Sequence, residues 1–342
     1  MLNSTTKSIS KNIKLPTIND VQNASNILAP IIQQTPLLYS PLFDKKYGIK
    51  LYLKCDNLTP IGAFKIRGAF YALHSLSQKQ KTKGVVAFST GNHAQALAYS
   101  GNLLNIPVTI IMPKSAPKIK IENTKNFGAN VILFDPKNEN REEIAKKYVL
   151  EKKLTLIHPY DDFHVIAGQG ISGLECAMQL RDKKINPDQF YIPASGGGLL
   201  SGFSLSTDLF FKNADLIGVE SSANRCWATS LDKGTRVKTA VNEQSICDAI
   251  MPPNPIPGIL PWEILKNKIA HIACVNDNDA LMGIACAMKY FGIVLEPSAA
   301  CSLGLICKTH KKLTGKTVIA VASGRNVDSK ILNQSLTFYN QV

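Results

Sequence analysis

The chain has 342 residues, 45% of them hydrophobic, with 39 Lys and Arg against 25 Asp and Glu and a formal net charge of +14. That length is sufficient for a sizeable core and about two domains, while no apolar run approaches the roughly 20 residues that span a bilayer, so no membrane partner is expected. The lysines are scattered, and the densest region, Lys114 to Lys125, has no interleaved aromatics; no nucleic-acid partner is expected, and the charge reads as a solvated basic surface or as attraction for anionic ligands.

Residues 1–16 carry Ser, Thr, Asn and Lys and read as a flexible N-terminal tail. Thr17-Ile18-Asn19-Asp20 has the form of a capping box and predicts a helix to about Gln33, ended by Thr35-Pro36-Leu37. Leu51-Tyr52-Leu53 reads as a strand, Pro60 and Gly62 as a turn, and Phe64, Phe70, Leu73 and Leu76 fall at helical spacing. From residue 84 the pattern alternates. Strands are predicted at 84–88, 108–112, 130–134 and 154–158, with helices at 93–104, 118–127 and 142–151 between them. A second series follows, with helices at 170–181, 198–211, 279–291 and 299–310 and strands at 190–193, 216–219, 269–275 and 317–322. Repeated βαβ units imply parallel sheets with helices on both faces. The run Met251-Pro252-Pro253-Asn254-Pro255-Ile256-Pro257-Gly258 predicts a surface connection.

Lys65 opens the helix that follows the Pro60–Gly62 turn. The positive end of the helix dipole and the apolar neighbours Ile61, Phe64 and Ile66 both disfavour its charged form, and a neutral amine can attack a carbonyl to form a Schiff base. By itself the stretch is also compatible with an ordinary surface lysine. Ser195-Gly196-Gly197-Gly198-Leu199 follows a strand and opens a helix. It lacks the GxGxxG spacing of a dinucleotide fold and the GK[ST] ending of a P-loop. It reads either as a cradle for a compact phosphate monoester or as a glycine turn for close packing. Ser89-Thr90-Gly91-Asn92-His93 is a second strand-to-helix junction, suited to a carboxylate or to plain helix capping. The eight cysteines (Cys55, Cys176, Cys226, Cys247, Cys274, Cys286, Cys301, Cys307) form no CxxC pair and read as reduced and buried, hence a cytoplasmic chain. The six histidines show no HxxxH or HExxH spacing, so no transition-metal site is expected.

Seven motifs occur in order: GAFKIRGA, STGNHAQALAY, NFGANVILFD, HPYDD with VIAGQG, SGGGLLSG, LEPSAA and SGRNVD. On these, the chain from about residue 17 to 332 resembles the serine/threonine dehydratases and serine racemases of the fold type II (tryptophan synthase β-like) pyridoxal-phosphate enzymes. The resemblance implies two doubly wound α/β domains with parallel sheets: a large cofactor-binding domain of residues 17–80 and 162–342, and a small domain of residues 81–161 closing over the substrate. It implies that Lys65 forms the Schiff base with pyridoxal 5'-phosphate, that Phe64 packs on the ring, and that Asn92 bonds the phenolic oxygen. Ser195, Gly196, Gly197, Gly198 and Leu199 would hold the phosphate, Ser323 would face the pyridine nitrogen, and Glu296 would lie near the ring. Ser89, Thr90, Gly91, Asn92 and His93 would receive the substrate carboxylate. The implied reaction removes water from L-threonine or L-serine, giving a 2-oxo acid and ammonia, with Lys65 taking the α-proton and Thr90 beside it in the catalytic set. A hydroxyl at Ser323 does not hold the pyridine nitrogen protonated, which favours elimination over a long-lived carbanion. A homo-oligomer, dimer or tetramer, is implied as well.

Several positions depart from the family pattern. Ile61 and Ala63 stand where hydroxyls are usual beside the lysine, and Arg325 follows Ser323-Gly324. Thr90 replaces the serine of racemases, which counts against racemase activity. Arg141 matches an arginine of racemase-like members and of some hydroxyaspartate dehydratases; it reads as a contact for a second substrate carboxylate or as a surface helix arginine. Glu220 and Asn224 resemble the start of a Mg²⁺ or Ca²⁺ site, with Cys226 in place of the expected acid. Dehydration of another β-hydroxy amino acid such as 3-hydroxyaspartate, serine racemisation, and binding of pyridoxal phosphate or an amino acid without turnover are the alternative readings.

Overall fold

The computed structural model describes residues 13–342 apart from Thr90, Pro117, Asn242 and Pro253, and of Ile119 only the backbone. Its strands are β1 (Leu37–Tyr39), β2 (Lys50–Lys54), β3 (Val85–Phe88), β4 (Val108–Pro113), β5 (Asn130–Phe134), β6 (Thr155–Leu156), β7 (Gln189–Pro193), β8 (Asp215–Ser221), β9 (His271–Val275) and β10 (Thr317–Val321). They form a six-stranded sheet of order β1-β2-β10-β7-β8-β9 and a four-stranded sheet of order β5-β4-β3-β6. Every pairing is parallel except that of β1 with β2 at the edge of the larger sheet. The β10 strand, Thr-Val-Ile-Ala-Val, is buried on both faces. Val318 and Ala320 enter one core with Leu51, Leu53 and Val219, and Ile319 and Val321 enter another with Phe190, Leu200 and Phe203. Such double burial is what continuous apolar strands in a helix-covered parallel sheet require.

The sequence reading differs from the structure mainly at element ends. The first helix stops at Leu28 rather than near Gln33, because Pro30 has no amide to donate within a helix and its ring crowds the carbonyl one turn back. The helix read as starting at Gly170 begins at Phe163, where Asp162 accepts from the amides of His164 (2.8 Å) and Val165 (2.9 Å). The helix read over 279–291 is capped by Asn276, runs Asp277–Cys286, and loosens into a π-turn over Ala287–Phe291. Helices at Pro41–Tyr47, Cys226–Asp232 and Ile259–Leu265 are too short to show a periodic stripe. The Pro-rich connection has no helix or strand among its described residues.

The topology brings the carboxyl ends of β2, β7, β10 and β3 together with the loops that follow them. Open α/β sheets bind ligands at those ends.

Candidate active site

Lys65 is the first residue of the helix Lys65–His74. The turn before it is stitched to the segment after β10. Ala63 bridges Gly324, Phe64 N donates to Ser323 O at 3.0 Å, and Arg325 N donates to Gly62 O at 2.8 Å. Lys65 and Ser323 are thereby held side by side. Nζ of Lys65 donates to Pro159 O at 2.6 Å and lies 5.1 Å from the centre of the Phe64 ring. Burial pushes the Lys65 ammonium down to about 8, against the opposing pull of the Glu296 carboxylate. The sequence reading named the helix dipole and apolar neighbours; desolvation dominates here.

Glu296, 4% exposed, accepts from Asn92 Nδ2 at 2.8 and 3.1 Å. Its burial outweighs that hydrogen bond and pushes the carboxyl up to about 7. Asn326 Nδ2 donates to Asn92 Oδ1 at 2.8 Å and to Ile61 O at 3.0 Å. Glu296, Asn92, Asn326 and the Lys65 turn are therefore one hydrogen-bonded unit. The Arg325 side chain runs along Gly62 of that turn, and its Nη1 donates to Asn57 O at 2.8 Å.

The glycine loop is built so that its carbonyls face protein and its amides do not. Trp227 Nε1 donates to Ser195 O at 2.6 Å, and Gly258 N donates to Gly196 O at 2.9 Å. Gly197 has φ of +98°, a left-handed conformation that glycine alone adopts without strain, and it delivers the chain to the helix Gly198–Phe210. Among the described residues no acceptor is found for the amides of Gly196, Gly197, Gly198 or Leu199. Four amides converging at a helix start fit a phosphate dianion. The Ser323 side chain, 4% exposed, makes no hydrogen bond among the described residues. With the depressed Lys65 beside it, the residues present fit pyridoxal phosphate.

At the other junction, the helix Asn92–Leu104 starts after Gly91, whose amide donates to Ser89 Oγ at 3.3 Å, and the amides of Asn92 and His93 have no acceptor among the described residues. The His93 ring faces inward, its Nε2 on Ile157 O at 3.3 Å, and burial pushes its pKa down to about 3. The neutral ring leaves only the amide of His93 to meet a carboxylate. Thr90 lies outside the described residues. Arg141 stacks on Phe88, the last residue of β3, with its guanidinium carbon 4.7 Å from the ring centre. Burial pushes its pKa below the ordinary arginine value, and none of the ion pairs among the described residues includes it.

The cation site suggested for Glu220 and Asn224 is filled by the protein's own donors. Glu220 accepts from the amides of Trp227 (3.0 Å) and Ala228 (2.9 Å), and the Asn224 carbonyl accepts from Thr239 Oγ1 at 2.6 Å. No group of three or more His, Cys, Asp or Glu side chains arranged for a metal occurs among the described residues, so these residues do not fit Mg²⁺ or Ca²⁺.

The sequence reading assigned no role to Pro159, Tyr160, Trp227 or Asn326. Tyr160 covers the glycine loop so closely that a Cβ added at Gly196 would lie 2.2 Å from its ring. The dense polar cluster His158-Pro159-Tyr160-Asp161-Asp162 after β6 was the available signal. Trp227 had none, because its partner is 32 residues away.

Comparison with known proteins agrees with this geometry. The profile of the pyridoxal-phosphate dependent enzyme family matches residues 28–324. Serine racemase of Schizosaccharomyces pombe is 37% identical over 324 residues, covering 94% of this chain and 97% of that protein. L-threo-3-hydroxyaspartate ammonia-lyase of Saccharomyces cerevisiae is 35% identical over 316 residues, covering 92% and 95%. The crystal structure of threonine deaminase from T.th. superposes with a TM-score of 0.86 at 31% identity, covering 92% of this chain and 99% of that one. With a profile match over residues 28–324, a relative 37% identical over 94% of the chain and a fold shared over 92% of it, the chain belongs to the family of pyridoxal-phosphate dependent enzymes.

Proposed function

We propose that the chain eliminates water from L-serine or L-threonine to give a 2-oxo acid and ammonia. The observation that carries this reading is Lys65: a buried amine pushed down to about 8, held next to Ser323 by the Phe64–Ser323 backbone bond, in a chain whose glycine loop offers amides without an acceptor among the described residues. The relatives are enzymes named for serine, threonine and hydroxyaspartate chemistry. Bound pyridoxal phosphate supplies the electron sink for charge developing at the substrate α-carbon. The amides of Gly196 to Leu199, with Ser195, would hold its phosphate; Phe64 would pack on its ring, and Ser323 would offer a hydroxyl to its pyridine nitrogen. Asn92, whose amide is oriented by Glu296 and Asn326, would meet its phenolic oxygen. The amides around Ser89–His93 bind the substrate carboxylate. Lys65 Nζ takes the α-proton; the β-hydroxyl departs with a proton as water, and hydrolysis of the released enamine yields the 2-oxo acid and ammonia. Residues 81–161 act as a small domain that closes over the substrate, and the chain works as a homo-oligomer in the cytoplasm.

Arg141 supports a second reading, with 3-hydroxyaspartate as the substrate. A half-buried guanidinium without a carboxylate partner beside the Ser89–His93 junction suits a second substrate carboxylate. A panel of L-serine, L-threonine and the 3-hydroxyaspartates, read as 2-oxo acid and ammonia with a chiral assay alongside, tests both. Turnover of serine or threonine that is insensitive to Arg141→Ala supports the first. A dicarboxylate preference that Arg141→Ala abolishes, by roughly 10²-fold in kcat/KM, supports the second. Ligand binding with no turnover of any of them overturns both.

A further inference from the structure

A cavity of about 410 Å³ lies on the outer side of the helix Cys226–Asp232, and none of the residues around Lys65 lines it. Its rim carries Arg225, Lys233 and Lys238, with Ser222 and Thr229 as hydroxyl donors, and no acidic side chain lines it. None of the three cations belongs to an ion pair among the described residues. Glu220, close enough to feel the charge of Arg225, is already held by the amides of Trp227 and Ala228, and Glu243 and Asp277 line a separate neighbouring cavity. Arg225 is one of four non-glycine residues with positive φ among the described residues, at +47°. A left-handed arginine is a sparsely populated state that the surroundings must hold, and here the turn from Ser221 does so, Arg225 N donating to Ser221 O at 3.2 Å. The turn sets the arginine at the cavity rim.

We propose that this cavity binds a compact phosphate-bearing anion and that its occupancy is felt at the glycine loop. Three cations of one sign around a concave surface, with hydroxyls between them, form a site for multivalent anions. Its walls include no aromatic side chain, so nothing there stacks on a base, and the ligand is recognised by its charged oxygens alone. The path inward is short. Arg225 is followed directly by the helix that carries Trp227, whose indole donates to Ser195 O at 2.6 Å and whose ring would lie 2.4 Å from a Cβ on Gly197. An anion that draws on Arg225 therefore acts on the helix that backs the loop.

The chain has two tryptophans, Trp227 and Trp262, with ring centres 6.1 Å apart, so tryptophan emission reports on this helix. The test titrates the holoenzyme, in EDTA at constant ionic strength, with inorganic pyrophosphate, following calorimetry and emission together. A saturable transition below about 1 mM, at least tenfold weaker in Lys233→Ala/Lys238→Ala, supports the proposal. Both lysines are exposed, so the double variant is expected to keep its fold and its basal turnover. The proposal is overturned if the double variant titrates like the parent, if sulfate or chloride at matched ionic strength reproduces the whole signal, or if heat is released with no change in emission.

Discussion

Lys65 and Arg67 stand two residues apart at the start of the same helix, and their contrast shows what separates a reactive cation from a structural one. Arg67, 1% exposed, donates to Glu175 at 2.7 and 2.8 Å, to Asp56 at 3.0 Å and to Thr35 Oγ1 at 3.2 Å. Lys54 closes the cluster through Glu175 at 2.7 Å. Burial alone would push Arg67 down, but the charges of Asp56 and Glu175 hold it above its ordinary value. Burial would likewise raise Asp56, and Arg67 and Lys54 overcome it and hold the carboxyl below its ordinary value. Lys65 meets the same desolvation with a carbonyl and a weakly acidic Glu296 as its company, and its ammonium falls to about 8. A buried cation paired with two carboxylates anchors the fold, whereas one left short of such partners holds its proton less tightly and is more readily available as a nucleophile.

Four substitutions bear on that contrast. Lys65→Ala should lower 2-oxo acid production by at least about 10³-fold and remove the borohydride-sensitive absorption of the holoenzyme, while the urea midpoint stays close to the parent; full activity in the variant ends the assignment. Arg67→Met should do the reverse in kind, leaving Asp56 buried without its cation and Glu175 with Lys54 alone, and costing about 3–5 kcal/mol of stability by urea unfolding. If it unfolds no more easily than the parent, the cluster is not the anchor described. Gly324→Ala comes next, since its Cβ would lie 2.5 Å from Glu296 Oε1. A shift costing about 1–3 kcal/mol, with weaker cofactor binding in a reconstitution titration, is expected because Glu296 orients Asn92.

The fourth substitution is read in pH dependence. Glu296 is raised from 4.5 to about 7 in the folded chain, so the fold binds its proton more tightly than the unfolded chain does. Its contribution is complete below about 4.5 and is lost as pH rises through about 7. Glu296→Gln should flatten the fall in urea midpoint across that window, and an unchanged slope would place the titration elsewhere.

Much of the site was legible because it lies in contiguous runs. Lys65 at its helix start and the glycine-rich strand-to-helix turn could be singled out from local chemistry, each with a plainer reading beside it, whereas the place of Ser323 after β10 came only from the resemblance. What escaped the reading depends on distant pairs. Asn326 on Asn92 spans 234 positions, and Trp227 on Ser195 spans 32; no periodicity encodes such distances. His93 was legible as a member of its motif but not as a ring turned onto Ile157, because side-chain direction follows from what packs beside the helix.

The sequence by itself determined the order of βαβ units, hence parallel sheets with their loops at one end, because apolar spacing and glycine position act within a few residues of each other. It also determined which residue types could do the chemistry. The tertiary structure alone decided their charge states and employment. Whether Lys65 is an amine or an ammonium, whether Arg325 faces the cofactor edge or Asn57, and whether Glu220 holds a cation or caps a helix depend on desolvation and on partners brought from far along the chain.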